Sequence, residues 1–260
     1  MPSTHRMLRI LGLFDLDRPL ITPEWLMEAL GASRASIYRD LGQLTRVGML
    51  ERVSNRGYVL GPMVIELDRQ IRLADPLLEA AQDLLAWLAH ETGGTILLCR
   101  LHGSKVMCIH QVNGHNPSLS VSYERGRSMP LYRGATSKII LAHLPQTHLK
   151  QLWATDRQTI VGAGLPGDFA LFCEMLSALR KAGYCVAGGE VDPNAVGCAV
   201  ALRDGEHLLG SLSVVKPAAA ITDTQLKTTL HRLQSVAGRI EGRLQDQREK
   251  ARAARKTENP

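Results

Sequence analysis

The sequence predicts an α+β protein in which an N-terminal winged helix-turn-helix domain is joined by a linker helix to a larger mixed domain. Three observations lead to this prediction. An amphipathic helix follows a short turn at residues 31–33 and precedes a basic hairpin. A second amphipathic helix begins at the Gly61-Pro62 break. Beyond residue 75, two β-hairpins and flanking helices predict an antiparallel sheet covered by helices.

Composition sets the class of protein. The chain has 260 residues, 45% hydrophobic and 22% charged, enough for two domains with their own cores. The formal charge of +6 is compatible with nucleic acid without requiring it. No apolar run is long enough to cross a bilayer and no signal-peptide pattern is present, so we expect a cytoplasmic protein without a membrane partner. Five scattered cysteines predict no disulfides.

Residues 1–62 are predicted to form the winged helix-turn-helix domain. Its first helix carries an apolar stripe formed by Met7, Ile10, Leu11 and Phe14. Thr22 and Pro23 supply an N-cap and a first-turn proline for the second helix, which ends at Gly31. The three-residue turn that follows is the helix-turn-helix connection.

The third helix, residues 33–47, is predicted to contact DNA. Ile37, Leu41 and Leu44 share its apolar face, and the opposite face carries arginines whose planar forks suit a guanine edge or a phosphate. Two short strands after Gly48 flank a basic tip and predict the wing. An alternative is a small helical subdomain with a solvated basic face. The residues predicted to contact DNA are Ser33, Arg34, Ser36, Tyr38, Arg39, Gln43, Arg46 and Arg56.

Residues 63–74 are predicted to be the linker helix, with Val64, Leu67 and Ile71 on one stripe. An exposed apolar stripe on a linker predicts a homo-oligomer, either a dimer or a tetramer. Residues 75–248 are predicted to form the second domain, with strands at 95–101, 105–112, 200–203 and 207–215, and helices at 76–92, 137–144, 168–182 and from Thr222 onward. Residues 249–260, which are basic and lack apolar periodicity, are predicted to be a disordered tail.

Two spaced segments of the second domain resemble a known family. Residues 126–142, GRSMPLYRGATSKIILA, resemble the signature loop and helix of the IclR family of bacterial transcription regulators. A second match comprises LRKAGY at 179–184, GEV at 189–191, VALRD at 200–204 and SLSV at 211–214. The resemblance covers roughly residues 5–247. It implies a GAF-like α/β effector-binding domain that binds a small organic or aromatic acid and controls a dimer or tetramer on double-stranded operator DNA.

The same residues suit an acid on physical grounds. A loop that turns into a helix near residue 136 presents free backbone N–H groups, which with the helix dipole favour a carboxylate. Two departures from the family pattern are Ser137, at the position before the lysine where the family usually has a small residue, and Val215, where the family has a second serine. The pocket should therefore be less polar on that side. The family's cysteine falls at Gly197 or Cys198. The residues predicted to bind the effector are Met129, Leu131, Ala135, Thr136, Ser137, Glu190, Cys198, Ser211 and Ser213.

Several of these residues have a purely structural alternative. Lys138 fits a solvated surface lysine or a helix cap, and Ser213 fits the solvent side of its strand. Glu190 fits a residue that holds its own loop through a local hydrogen bond.

The predicted function is a DNA-binding transcription regulator of a catabolic operon, without a catalytic site, metal or cofactor. One alternative is a DNA-binding protein whose second domain only dimerises. The other is an enzyme, for which the sequence offers little: Cys108 and His110 lack a second ligand pair, and residues 134–138 lack the spacing of a phosphate-binding loop.

Overall fold

The computed structural model describes residues 3–54, 56–115 and 121–257. Side chains are described for 4–54, 56–115 and 121–253. The chain divides into two compact units, Met1–Asp75 and Pro76–Pro260. The division falls beside the predicted start of the second domain at residue 75.

The first unit contains three helices and a hairpin, in the order α1 (Ser3–Leu11), α2 (Pro23–Leu30), α3 (Arg34–Arg46), β1 (Leu50–Val53) and β2 (Gly57–Leu60). The two strands pair antiparallel. These are the elements that a winged helix-turn-helix requires, in the predicted order. Asn55, in the predicted turn of the wing, lies outside the described residues.

Local sequence explains where α2 begins and ends. The hydroxyl of Thr22 accepts a hydrogen bond from the N–H of Trp25 at 3.2 Å, and Pro23 occupies the first turn, where no backbone donor is needed. Gly31 closes the helix with φ of 58°, a left-handed conformation that glycine adopts without steric cost.

The core of the first unit contains an ion pair that periodicity does not predict. Ile37, Leu41 and Leu44 are buried, as predicted for the apolar face of α3. Asp40 is fully buried on the same helix, and its Oδ2 accepts a hydrogen bond from Arg6 Nε of α1 at 2.5 Å. A buried carboxylate is costly unless it is paired, so this contact fixes α1 against α3.

Helix α4 (Pro62–Ala74) forms the predicted linker helix. None of its residues is buried. The large apolar side chains that it exposes include Ile65 at 72%, Ile71 at 62% and Leu73 at 69%. Its exposed apolar surface is therefore broader than the predicted stripe.

The second unit is built on a six-stranded antiparallel sheet with strand order β5-β4-β3-β8-β7-β6. Both predicted hairpins are present as neighbouring strand pairs, β3–β4 and β7–β8. The strands are β3 (Thr95–His102), β4 (Lys105–Val112), β5 (Ser128–Pro130), β6 (Cys185–Gly188), β7 (Ala195–Asp204) and β8 (His207–Pro217).

Helices cover both faces of this sheet. On one face α5 (Pro76–Thr92) and α9 (Asp223–Thr257) share an apolar core with β3, β7 and β8. On the other face lies α6 (Ala135–Ala142), whose apolar cluster also includes α7 (Gln146–Gly162) and α8 (Phe169–Ala182). None of the described helices combines the length and the apolar character that a membrane span requires.

Helix α9 begins with the capping box that the sequence predicts. The N–H of Gln225 donates to the hydroxyl of Thr222 at 3.3 Å, while the Gln225 side-chain oxygen accepts from the N–H of Thr222 at 2.9 Å. The structure differs from the prediction at the other end. The predicted disordered tail is helical as far as Thr257, because its alanine, arginine, lysine and glutamate residues are good helix formers. Residues 258–260 lie outside the described residues.

The sequence analysis did not predict the edge strands β5 and β6 or helix α7. The edge strands β5 and β6 have three and four residues, which is too few for an alternating pattern of apolar and polar residues to be recognised. Helix α7 has an irregular mixture of polar and apolar residues, and only Leu149, Leu152 and Ile160 are buried. Their positions therefore depend on tertiary packing and not on local periodicity.

Close packing at the sheet centre generates a stability prediction. A Cβ on Gly210 of β8 would lie 1.9 Å from the carbonyl oxygen of Cys99, a backbone atom that cannot move without disturbing β3. We expect Gly210→Ala to lower the free energy of unfolding by about 1–3 kcal/mol, measured by denaturant titration. The control is Gly238→Ala on α9, where a Cβ meets nothing within 4 Å and should add about 0.4–1 kcal/mol. Equal stabilities of the two variants would contradict this packing.

Candidate functional sites

Helix α3 presents the predicted DNA-contacting face to solvent. Because Ile37, Leu41 and Leu44 are buried against the rest of the first unit, the opposite side of the helix is exposed. Of the residues predicted to contact DNA, Ser36 is half-buried, and the exposed ones are Ser33, Arg34, Tyr38, Arg39, Gln43, Arg46 and Arg56. The basic face is therefore continuous and unobstructed within this unit. Contact of these residues with DNA stays a prediction.

Two local interactions organise the edges of this surface. The guanidinium of Arg34 lies over the ring of Tyr38, 5.4 Å from its centroid, a distance suited to a cation–π contact. At the wing, the N–H of Arg56 donates to the carbonyl of Val53 at 2.9 Å and closes the turn. Arg56 is thus held at the tip of the hairpin.

The predicted effector site lies where α6 begins. Gly134 has φ of 79°, which lets the loop turn sharply into the helix. A small cavity of about 30 Å³ lies beside this turn, large enough for a water molecule and too small for an aromatic acid. Its lining comes from the start of α6, the β6–β7 connection and two strands: Tyr123, Gly134, Ala135, Thr136, Ala187, Gly189, Glu190, Val191, Asp192, Ala195, Gly197 and Val215.

A carboxylate of the protein itself already binds the backbone N–H of the residue that caps the start of α6. Glu190 Oε2 accepts from the N–H of Gly134 at 2.9 Å, and Glu190 Oε1 accepts from Lys138 Nζ at 2.5 Å. The Lys138 side chain is only 15% exposed. Lys138 is therefore neither a solvated lysine nor a helix cap, and Glu190 joins its loop to α6 instead of bonding only within that loop.

Hydroxyl groups connect α6 to the sheet behind the cavity. The hydroxyls of Thr136 and Ser213 lie 2.9 Å apart, and Ser211 donates to the carbonyl of Thr136 at 3.1 Å. Both serines are fully buried, which rules out the solvent-facing alternative for Ser213. Each of these three hydroxyls has a partner, so α6 is fixed relative to β8.

The predicted effector residues fall into three groups. Ala135, Thr136 and Glu190 line the cavity. Ser137, Ser211 and Ser213 lie one hydrogen bond behind it. The remaining three, which lie outside the cavity lining, are Met129, Leu131 and Cys198.

The placement of Cys198 corrects the prediction. Side chains alternate along β7, so Gly197 faces α6 while Cys198 is buried in the cluster of α5 and α9 on the other side of the sheet. Burial raises the pKa of the Cys198 thiol to about 11, so the thiol is protonated at neutral pH. Met129 and Leu131 face the α6 side but pack inside its apolar cluster.

Sequence reasoning missed two polar residues of the cavity. The hydroxyl of Tyr123 donates to the carbonyl of Arg133 at 3.2 Å and lies 3.1 Å from the hydroxyl of Ser137. Burial raises the pKa of Tyr123 well above its usual range, so the phenol stays protonated. Asp192 accepts from the N–H of Ser122 at 3.0 Å and fixes the β6–β7 connection. The signal in the sequence that could have indicated Tyr123 is its position beside a glycine-rich loop in a chain with few aromatic residues.

Cys108, which the sequence places near His110, donates to the backbone carbonyl of that residue at 3.3 Å. Among the described residues no cluster of histidine, cysteine and acidic side chains could hold a metal ion. Val215 lines the cavity on the β8 side, where the sequence predicts a less polar wall.

Comparison with known proteins gives the family. Residues 74–241 match the family described as bacterial transcriptional regulator IclR, C-terminal. The HTH-type transcriptional regulator KipR of Bacillus subtilis is 22% identical over 89% of this chain and 92% of its own length. The Pca regulon regulatory protein of Pseudomonas putida is 24% identical over 87% of this chain and 78% of its own.

Solved structures share the fold. A crystal structure of an IclR homolog complexed with 4-hydroxybenzoate, from Microbacterium hydrocarbonoxydans, superposes with a TM-score of 0.78 at 21% identity, covering 94% of this chain and all of that one. The predicted fold class is thereby confirmed. The family match covers more than half of the chain, and its members are regulators rather than enzymes. The chain belongs to the IclR family of bacterial transcriptional regulators.

Proposed function

We propose that this regulator binds a pseudo-palindromic operator of a catabolic operon through α3 and the wing, under the control of a small carboxylic or aromatic acid bound beside α6. The observation that carries the proposal is the division of α3 into a buried apolar face and an exposed face with Arg39 and Arg46. Arginine is suited to guanine edges and phosphates alike. In this proposal residues 1–62 bind DNA, residues 63–74 form the helix that links the two domains, and residues 75–248 bind the effector.

Oligomerisation is part of the proposal. Helix α4 exposes the apolar side chains of Ile65, Ile71 and Leu73 within 13 residues. Exposure of so much apolar surface to water is unfavourable. Their burial against a second copy would support a dimer, or a dimer of dimers. Two α3 helices would then reach successive major grooves about 34 Å apart.

The chemistry of the effector follows from α6 and from the relatives. The start of α6 combines a helix N-terminus with Lys138, both of which favour an anion. One relative is a regulator of the Pca regulon, and one structural neighbour binds 4-hydroxybenzoate. A small acid that enters here must displace Glu190 from Gly134 and enlarge the cavity. That displacement gives the two states, with and without effector, that control of DNA binding requires.

DNA binding is tested by selecting genomic fragments with the full-length protein and footprinting the recovered sequence. Replacing Arg39 by alanine should weaken binding to that sequence by about 1–3 kcal/mol and relax base preference at one position, because a bidentate base contact is lost. The control is Arg239→Ala, an exposed arginine of α9 in the second unit. Equal operator affinity of Arg39→Ala and wild type would remove Arg39 from the recognition surface.

Effector binding is tested by thermal unfolding of the full-length protein with a panel of small carboxylates and aromatic acids. A ligand present at 100 times its dissociation constant should add about 2.7 kcal/mol to stability, because it binds only the folded state. If no compound raises the unfolding temperature of an intact oligomer, the result favours the alternative in which the second unit only dimerises.

Glu190 supplies a sharper test of the effector site. Glu190→Gln keeps the shape of the side chain but removes the negative charge that holds Lys138 and the N–H of Gly134. We expect the acid found in the panel to bind about five-fold more tightly, since charge-assisted hydrogen bonds are roughly twice as strong as neutral ones. Glu174→Gln, on the exposed side of α8, is the charge-matched control. Unchanged or weaker binding by Glu190→Gln alone would show that no displacement takes place.

A further inference from the structure

A hollow of about 520 Å³ lies in the second unit, on the side of the sheet that α5 and α9 cover. The cavity beside α6 has only about 30 Å³, whereas ligand sites commonly have about 300–1,000 Å³. The start of α5, the end of β3, the β7–β8 hairpin and the second half of α9 line the larger hollow, which we call the α5–α9 hollow. None of the residues predicted to bind the effector or DNA lies in this lining.

The floor of the α5–α9 hollow is apolar. Leu77 of α5 and Leu244 of α9 belong to the apolar core that these two helices share, and Leu209 packs against the same core. The described pairing of β8 with β7 passes from Gly210 directly to Leu208, which makes Leu209 a β-bulge. A bulge redirects a side chain, and here it adds a third leucine to the floor.

Two ion pairs hold the walls of the α5–α9 hollow. Arg243 of α9 binds the carboxylate of Asp83 on α5 through two hydrogen bonds of 2.5 and 2.9 Å, and it also donates to the carbonyl of Ala80 at 2.9 Å. Arg248 of α9 forms an ion pair with Asp204 at the end of β7, within the lining itself. Walls that are already held in place reduce the conformational cost of binding a ligand.

Charged side chains of both signs surround the apolar floor. Arg100 follows Ile96 and Leu98 on the same face of β3 and ends their apolar row. Lys250 of α9 and Glu79 of α5 also line the hollow, and both are exposed. The rim can therefore form hydrogen bonds with a polar group of a ligand, while the floor offers only apolar contact.

We propose that the α5–α9 hollow binds a neutral, medium-chain aliphatic molecule such as a primary alcohol, at a site distinct from the one proposed beside α6. The alkyl chain would cover the three leucines and leave water, which is the main source of affinity for such a ligand. Among the described residues that line the hollow none is aromatic, so a planar ring finds no stacking partner. Pro76, the first residue of α5, also lies in the lining, so a bound ligand contacts the segment that follows the linker helix in the chain.

The test titrates the full-length protein with 1-octanol in a calorimeter. Wild type should bind 1-octanol in the hollow at least about five-fold more tightly than octanoate or octylamine, because a charged head group must lose water beside the leucines. Binding should also have a negative heat-capacity change, which burial of apolar surface produces. Absence of 1-octanol binding, or tighter binding of either charged analogue in the hollow, overturns the proposal.

One substitution locates the bound molecule. Ala251→Phe places a ring in the hollow from an exposed position on α9, and it should weaken 1-octanol binding at least about ten-fold. The matched control is Ala154→Phe, at an exposed position of α7 in the same unit, which should bind 1-octanol as wild type does. Only binding that Ala251→Phe removes is assigned to the hollow, which separates it from an acid bound beside α6.

The β-bulge supplies a second, independent pair of variants. Leu209→Ala removes part of the floor and should weaken 1-octanol binding about three- to ten-fold. Leu208→Ala changes the neighbouring residue, which packs in the apolar cluster on the other face of the sheet, and should leave binding unchanged. Thermal unfolding checks that both variants are folded at the temperature of the titration. If Ala251→Phe and Leu209→Ala both bind 1-octanol as wild type does, the hollow is not the site, and this result leaves regulation by an acid beside α6 intact.

Discussion

The central sheet must bury both of its faces, and the organisation of the second unit depends on this constraint. Successive residues of a strand point to opposite sides, so β7 and β8 each serve two different cores. Leu212 and Val214 pack towards α5 and α9, while Ser211, Ser213 and Val215 face α6. One side of the sheet therefore packs against an apolar cluster, and the other accommodates hydroxyl groups beside a helix N-terminus.

The polar side of the sheet places a short, rigid helix in a fixed position. Hydrogen bonds that join Thr136 to Ser211 and Ser213 hold α6 on β8, so the positive end of its dipole has a fixed position. The partner of this helix start is Glu190, which reaches α6 from the β6–β7 connection. The protein's own carboxylate therefore occupies the position beside the start of α6 that favours an anion.

The first unit also combines an apolar core with a buried polar contact. Its small core holds three helices together, and the buried ion pair of Arg6 with Asp40 sets the geometry of α1 against α3. Because Ile37, Leu41 and Leu44 of α3 point inward, its outer face carries arginines together with small and polar residues. An exposed basic face on a helix that is fixed in this way suits contact with a polyanion.

The sequence by itself determined the elements that are governed by local periodicity and capping. These include the helix-turn-helix, the wing, the linker helix, both hairpins and the capping box at Thr222. All of them depend mainly on interactions between residues that are close in the sequence. Tertiary structure alone decided the short edge strands, α7, the ion pair of Arg6 with Asp40, and the partners of Glu190, because these depend on contacts between distant segments. Cys198 shows the reason most clearly. A register difference of one residue moves a side chain to the opposite face of a sheet, and only strand pairing sets that register.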